Sequence, residues 1–398
     1  MEVLIRPGDT FWYYSQLFDI PLVLIEQSNQ QTNPKQLTAG QRVQIPGYRS
    51  NNHMITVNDT FWKLANQYNI PVEMLELANP SIDADNLQIG QTIRIPERVN
   101  QMLISNFDRY TFNKMETDIN SLLEVYPFIG RQSIGNSVMG KDLVELQIGS
   151  GNKQVHIDGS FHANEWITTS TIMRFVNEYV LAITNNRPIR NLKMLPLFNE
   201  TTLSIVPMVN PDGVNLVLNG ASSAGNFQEK VLAMNDQSND FTNWKANIKG
   251  VDLNNQFPAL WQIEAERKPD SPQPRDYPGL HPLSEPESIA MANLANDRNF
   301  LRLNAFHTQG EEIYWGIEGL EPPISEVIVN EYARVSGYKQ VRYIDNYAGY
   351  KDWYIQDFRQ PGFTIELGTG VNPLPFAQFE EIYQESLGIM LANLYMSF

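Results

Sequence analysis

Cysteine is absent from all 398 residues. Such a chain has no disulfide framework and no thiolate metal site, so any metal must be held by histidine and carboxylate. Histidine is itself scarce, with five in the chain. Basic residues are outnumbered, 29 against 45 acidic, for a formal charge of -16. Phosphate backbones bind basic surface, so a nucleic-acid partner is not expected. The acidity alone names no substrate and ordinarily serves solubility. No apolar run approaches the roughly 20 residues of a membrane span. Met1-Glu2-Val3-Leu4-Ile5-Arg6-Pro7 also lacks a basic segment followed by an apolar one. Neither a membrane partner nor a secretory signal is therefore expected. Proline and glycine, 24 of each, are too few to signal disorder. What remains is a 42% apolar sequence long enough for two or three domains.

A repeat organises the amino-terminal quarter. Asp9-Thr10-Phe11-Trp12 recurs as Asp59-Thr60-Phe61-Trp62, a shift of 50. The same shift maps Ile20-Pro21 onto Ile70-Pro71, Asn29 onto Asn79, Gly40-Gln41 onto Gly90-Gln91 and Ile45-Pro46 onto Ile95-Pro96, without a gap. Each copy predicts a short strand (Val3–Ile5; Met54–Val57) and an amphipathic helix opened by Asp-Thr that ends near Phe18 or Tyr68. A second short helix after Pro21 or Pro71 and a closing strand stopped by proline complete the unit.

The Gly8-Asp9-Thr10-Phe11-Trp12 start, the Ile-Pro hinge, the asparagine after the second helix and the Gly-Gln-x-x-x-Ile-Pro finish resemble LysM modules, over residues 1–47 and 52–97. That resemblance implies binding of N-acetylglucosamine-containing glycans such as peptidoglycan. The groove would involve Asp9, Thr10, Phe11 and Asn29, and in the second copy Asp59, Thr60, Phe61 and Asn79. The plainer alternative is that the aspartate caps a helix while phenylalanine and tryptophan fill a small core, and Trp12 and Trp62 are expected there.

After a polar connector, Arg98–Asn106, helix and strand signals alternate as in an α/β domain, here residues 107–398. Glu116–Tyr126 reads as helix. From Ile167, the positions Ile172, Phe175, Val176, Tyr179, Val180 and Ile183 recur at three- and four-residue steps, predicting a helix with one buried face. Val144–Ile148, Val155–Asp158, Leu203–Val209, Leu303–His307 and Phe363–Leu367 suit strands, and the proline-rich stretch Pro269–Pro286 suits a loop.

Two histidines, His162 and His307, fall at or just past the ends of strand-like runs, where open α/β sheets place ligand sites. In His162-Ala163-Asn164-Glu165 a three-residue step lets an imidazole and a carboxylate converge on one ion. A hydrolytic zinc asks for three protein ligands and one open position. Alone, such a pair is common by accident. Glu366 strengthens it, because a carboxylate in the otherwise apolar Phe363–Leu367 run is costly to bury without a partner or a task. It could serve as general base or as a salt-bridged structural residue. His156 is expected in the core, and His53 and His281 in loops.

These residues, in order, also resemble the zinc carboxypeptidase (M14) family. The matching pieces are Ile157–Trp166, Asn210-Pro211-Asp212-Gly213, Gly250-Val251-Asp252-Leu253-Asn254, Tyr277-x-Gly279 leading to Ser284-Glu285-x-Glu287, the strand ending in His307, and Asp352-Trp353 ahead of Glu366. The resemblance implies an α/β fold with a mixed eight-stranded sheet flanked by helices, preceded by the two small βααβ modules. It implies zinc on His162, Glu165 and His307, with Glu366 as base. Lys245 stands where the family carries a carbonyl-polarising arginine. Asn254-Asn255 stands where it carries Asn-Arg to grip a terminal carboxylate, leaving Arg275 as the nearest substitute. Tyr347, rather than Tyr343 or Tyr350, is the expected substrate-closing tyrosine.

Glycan-binding modules fused to a peptidase without that anchor resemble a sporulation-linked branch of the family. Its members hydrolyse the γ-D-glutamyl–meso-diaminopimelate amide of peptidoglycan stem peptides. The expectation is thus a wall-targeted zinc endopeptidase, cytoplasmic or spore-associated and acting on wall glycan strands and stem peptides. The alternatives are a carboxypeptidase trimming the terminal residue and a catalytically dead wall-binding protein.

Overall fold

Thr10 and Thr60 start the first helix of each repeat by the same device. Each is extended, and its hydroxyl accepts from the backbone N–H three residues on, of Tyr13 at 3.0 Å and of Lys63 at 3.2 Å. The threonine, not the aspartate before it, is therefore the cap. The structure is a computed structural model and describes residues 1–396.

In the first repeat β1 (Glu2–Leu4) pairs antiparallel with β2 (Arg42–Gln44) around α1 (Phe11–Phe18) and α2 (Leu22–Ser28). In the second, β3 (Tyr48–Met54) pairs with β4 (Thr92–Arg98) around α3 (Phe61–Tyr68) and α4 (Val72–Ala78). The strand expected at Met54–Val57 instead ends at Met54. Its ladder runs back from Met54↔Thr92 to Tyr48↔Arg98, drawing the polar link between the repeats into the sheet. His53 accordingly lies in a strand rather than a loop, with Nε2 3.2 Å from an Asp59 carboxylate oxygen.

Phe11 and Phe61 are buried, the latter among Leu64, Leu75, Ile93 and Ile95. Successive helical residues point about 100° apart, so the next residue in each copy faces outward. Trp12 is 64% exposed and Trp62 68%. The phenylalanines make the core, as the plainer alternative had it, and are closed to a glycan, whereas the tryptophans, expected there too, do not fill it. Asn29 is also closed. Its Nδ2 donates to the Ile25 and Gln44 carbonyls at 2.7 and 2.9 Å, and its Oδ1 accepts from Gln44 N–H at 2.8 Å. Asn79 repeats the pattern with Leu75 and Arg94. Each buried amide is spent tying the second helix to the closing strand.

Residues 118–130 and 177–195 group with 1–105 into one compact unit, while 106–117, 131–176 and the chain from Pro196 onward form the other. The repeats hold those two segments by hydrogen bonds. Gly47 N–H donates to the Val125 carbonyl at 2.8 Å. The Arg98 guanidinium donates to the Asp19 carboxylate, the Thr184 carbonyl and the Asn185 amide oxygen at 2.9–3.1 Å.

The remaining strands are β5 (Gly130–Asn136), β6 (Asp142–Gly149), β7 (Lys153–Gly159), a small hairpin of β8 (Pro188–Ile189) and β9 (Leu192–Lys193), then β10 (Thr201–Val206), β11 (Arg302–His307), β12 (Glu312–Tyr314), β13 (Lys339–Val341) and β14 (Gly362–Glu366). Eight of them form one sheet in the order β13-β12-β14-β11-β7-β10-β6-β5. β14, β11, β7 and β10 run parallel, and β12 and β6 pair antiparallel to their neighbours, so the sheet is mixed. Every residue of β11 is buried, as in a sheet covered on both faces. α5 (Phe112–Val125) and α6 (Ile167–Thr184) follow the expected helices, and the six α6 positions named above are all buried. Among the described residues, no helix or strand lies between Ala265 and Pro286. From β7 the chain passes through α6 to β10 on one side, while β11 takes the other side and leads to β14. The sheet's switch point is therefore between β7 and β11, where a crevice opens at the carboxyl ends of the strands.

Candidate metal centre

His162 follows β7 and caps a short 3-10 turn, Ala163–Glu165, and His307 is the last residue of β11. Gly159, at the end of β7, lies close against the side chains of Thr168 and Ile172. A β-carbon there would lie 2.8 Å from Ile172 Cδ1, so α6 seats tightly behind the ligand turn. Asn210 fixes the turn from the other side, donating to the Phe161 and Ala246 carbonyls at 3.2 and 3.1 Å, while Ala163 N–H donates to the Lys245 carbonyl at 3.0 Å.

The ligating atoms converge. His162 Nδ1 lies 2.9 Å from one Glu165 carboxylate oxygen, His307 Nδ1 lies 3.0 Å from the other, and the two ring nitrogens are 3.1 Å apart. All three side chains are buried. Two imidazole nitrogens and a carboxylate suit zinc or a similar first-row divalent ion. Among the described residues they are a group able to hold a metal ion. Burial alone would raise the Glu165 carboxyl, but His162 and His307 hold it down to about 2. Burial opposes charge on His307, yet Glu165, Glu366 and Asp158 raise its pKa.

Asp252 supports the turn from behind. One of its oxygens is 3.2 Å from His162 Nε2, and the other is 2.8 Å from Lys245 Nζ. A carboxylate behind a ligating imidazole fixes the ring and increases its basicity. Although burial acts the other way, Lys245 and His162 hold Asp252 well below the usual carboxylate range. Burial likewise disfavours charge on Lys245, but Asp252 and Asp276 keep it protonated above its ordinary range. The motif around Asp252 is visible in the sequence, but its role is not. Asn372, on the loop after β14, donates to a Glu165 oxygen at 3.3 Å and to the Thr308 carbonyl at 2.9 Å. No sequence pattern announces it.

Glu366 ends β14 directly opposite His307. Its Oε2 is buried with no hydrogen-bond partner among the described residues, which leaves that oxygen able to meet a reactant. Burial pushes its carboxyl up to about 8, with Glu165 adding to the rise and His307 and Lys245 opposing it. A divalent cation on the three ligands would add positive charge favouring the ionised form.

These groups open on a cavity of about 420 Å³ lined by His162, Glu165, Lys245, Asn254, Asn255, Arg275, Tyr314, Lys351, Asp352, Glu366 and Asn372, among others. Asn254 and Asn255 both face it, though Asn254 Oδ1 also accepts from Tyr350 N–H at 3.1 Å. Arg275 reaches the rim, donating to the Asn243 carbonyl at 3.2 Å. Tyr347 is not in this wall. It lines a neighbouring cavity of about 230 Å³, where its hydroxyl donates to Glu318 at 2.8 Å. The phenol facing the cleft is Tyr314, whose hydroxyl donates to Glu312 at 2.8 Å. His156 is buried against Ser204, 3.0 Å from its hydroxyl, and stays outside the ligand set. His281 lies in a loop.

The zinc carboxypeptidase family matches residues 115–388, and the LysM domain matches residues 3–46 and 53–96. The chain is 59% identical over 396 residues, covering 100% of each chain, to gamma-D-glutamyl-L-diamino acid endopeptidase 1 of Lysinibacillus sphaericus. It is 48% identical over 290 residues, 72% of this chain and 77% of the other, to YqgT of Bacillus subtilis, a protein without an assigned function. Carboxypeptidase A of Helicoverpa armigera shares the fold, with a TM-score of 0.57 at 16% identity over 83% of this chain and 80% of that one.

Proposed function

This chain belongs to the zinc carboxypeptidase family, and on that footing we propose that it is a peptidoglycan-targeted endopeptidase cutting the γ-D-glutamyl–meso-diaminopimelate amide of stem peptides. The observation that carries the reading is the composition of the cleft beside the metal triad. Asn254 and Asn255 stand where carboxypeptidases grip a terminal carboxylate, so no guanidinium at that point restricts cutting to the last residue. Full-length similarity to a γ-D-glutamyl-L-diamino acid endopeptidase, repeats included, supports the same bond.

His162, Glu165 and His307 would hold the zinc, which when bound supplies Lewis acidity and makes a water acidic enough to lose a proton near neutral pH. Glu366 Oε2 takes that proton and returns it to the leaving amine. Lys245 Nζ, steadied by Asp252, offers positive charge to the oxygen on which negative charge develops, as a point charge rather than a fork. Arg275 at the rim is the candidate partner for the α-carboxylate of the D-glutamyl residue. The LysM modules keep the enzyme on its polymer and raise the local concentration of stem peptide. Thr10, Thr60, Asp9 and Asp59, with the outward-facing Trp12 and Trp62, are the module residues available to a glycan.

Digestion of the tetrapeptide L-Ala-γ-D-Glu-meso-diaminopimelyl-D-Ala, followed by mass spectrometry, tests the bond. Release of L-Ala-D-Glu and the diaminopimelyl-D-Ala dipeptide is expected. Loss of D-Ala alone would make the protein a carboxypeptidase.

A further inference from the structure

Lys245 is held by two carboxylates, and the two do different things. Its Nζ lies 2.8 Å from Asp252 Oδ2. That contact pairs charges without hydrogen-bond direction, since Asp252 Oδ2 has no hydrogen-bond partner among the described residues. The directed bond goes to Asp276, whose Oδ1 accepts from Lys245 Nζ at 3.2 Å. An ammonium has three donors. With one of them on Asp276, rotation about the Cε–Nζ bond is stopped and the other two N–H directions are set. Lys245 lines the cavity that holds the metal triad.

The loop holds Asp276 firmly enough to do this. Lys245 and Ala246 N–H both donate to the Pro274 carbonyl, at 2.9 and 3.0 Å, and Asp252 N–H donates to the Tyr277 carbonyl at 2.8 Å. Chain on both sides of Asp276 is thus bonded to the segment that carries Lys245 and Asp252. Asp276 itself has a φ of 66°, a left-handed backbone that glycine, asparagine and aspartate tolerate best.

Two effects of Asp276 compete. Its negative charge weakens the field that Lys245 offers to a developing oxyanion, while its hydrogen bond fixes where the ammonium sits. The Asp276 side chain is 38% exposed, so water and salt screen the first effect. The second has no substitute, because a lysine is a point charge on a flexible four-carbon stem and lacks the rigid fork of an arginine. Position therefore outweighs repulsion.

We propose that Asp276 is a positioning residue for the reaction, fixing the Lys245 ammonium where the oxygen of the scissile amide gathers charge. One hydrogen bond then supplies the alignment that a guanidinium has from its own planarity. The inference rests on the reading of Lys245 as the group that meets that oxygen.

The test uses the full-length zinc-loaded enzyme and the tetrapeptide named above, with rates taken per bound zinc. Asp276→Gly removes the side chain and suits the left-handed backbone. Its kcat should fall roughly 10–100-fold with KM little changed, as for an interaction made in the transition state. Asp276→Asn keeps an acceptor in the same place and should regain most of that loss. In a Lys245→Gln background, itself roughly 10²–10³-fold slower, Asp276→Gly should have no further effect. A loss through general damage to the fold would strike both backgrounds alike. An unchanged or raised kcat in Asp276→Gly, no recovery in Asp276→Asn, or the same loss in the Lys245→Gln background would overturn the assignment. Undiminished kcat in Lys245→Gln alone would overturn the parent role of Lys245 and this one with it.

Discussion

His307 and Glu366 are register partners on adjacent parallel strands, each the last residue of its strand. One strand end thus supplies a metal ligand, and its neighbour a carboxylate with one oxygen, Oε2, that has no hydrogen-bond partner among the described residues. Glu366→Gln keeps the shape and removes the proton acceptor. Turnover should fall roughly 10²–10⁴-fold, while zinc content, measured by atomic absorption, stays at the wild-type level. Undiminished turnover by the Glu366→Gln enzyme would remove Glu366 from the role of base.

Asn372 steadies Glu165 from the loop after β14, outside the ligand set. Groups behind ligands typically contribute 10–100-fold in affinity. Asn372→Ala should weaken zinc binding by about that factor in a chelator competition, with kcat of the zinc-saturated enzyme changed much less.

Glu287 gives the fold a pH dependence independent of the metal. It is fully buried, accepts from Val138 N–H at 3.0 Å, and burial pushes its carboxyl up to about 7. A carboxyl raised on folding binds a proton more tightly in the native state. Its favourable contribution is complete below the unfolded value of about 4.5 and is lost as pH rises through 7. The loss is on the order of a few kcal/mol. Glu287→Gln should therefore gain on the wild type in melting temperature between pH 5 and pH 8, and a constant gap across that window would contradict the assignment.

The repeats make a paired prediction. Trp12→Ala with Trp62→Ala should leave the melting temperature unchanged and reduce co-sedimentation with purified peptidoglycan. Asn79→Ala should do the opposite first, losing roughly 1–3 kcal/mol in denaturant unfolding because buried backbone groups of Leu75 and Arg94 lose their partner.

The parts legible in the sequence are those that periodicity or spacing encodes. The six-residue apolar series in α6, the fifty-residue repeat and the His-x-x-Glu step each describe a local geometry, and the structure places those residues accordingly. Side-chain direction in the repeats was not legible. Adjacent Phe11 and Trp12 are both apolar, and which one faces inward depends on where Thr10 sets the helix phase. Asn29 carries the same ambiguity, since an asparagine that joins two elements and one that meets a ligand look alike in sequence. The groups behind the ligands were hidden for another reason. Asp252 reaches His162 across ninety residues of chain (252 − 162), and Asn372 reaches Glu165 across an even longer separation. Tyr347 shows the limit of aligning a loop, whose length does not determine which cavity a side chain enters.

The switch point between β7 and β11 also determines when the enzyme can first act. The histidine-bearing turn, the second histidine strand and the strand of the base lie far apart in the chain, and none can form the centre without the others in register. At a synthesis rate of about 5–20 residues per second, the interval between making Glu165 and making Glu366 is roughly 10–40 s. Until His307 is made the nascent polypeptide lacks a ligand, and until Glu366 is made it lacks the base, so hydrolytic competence waits for the last of these strands.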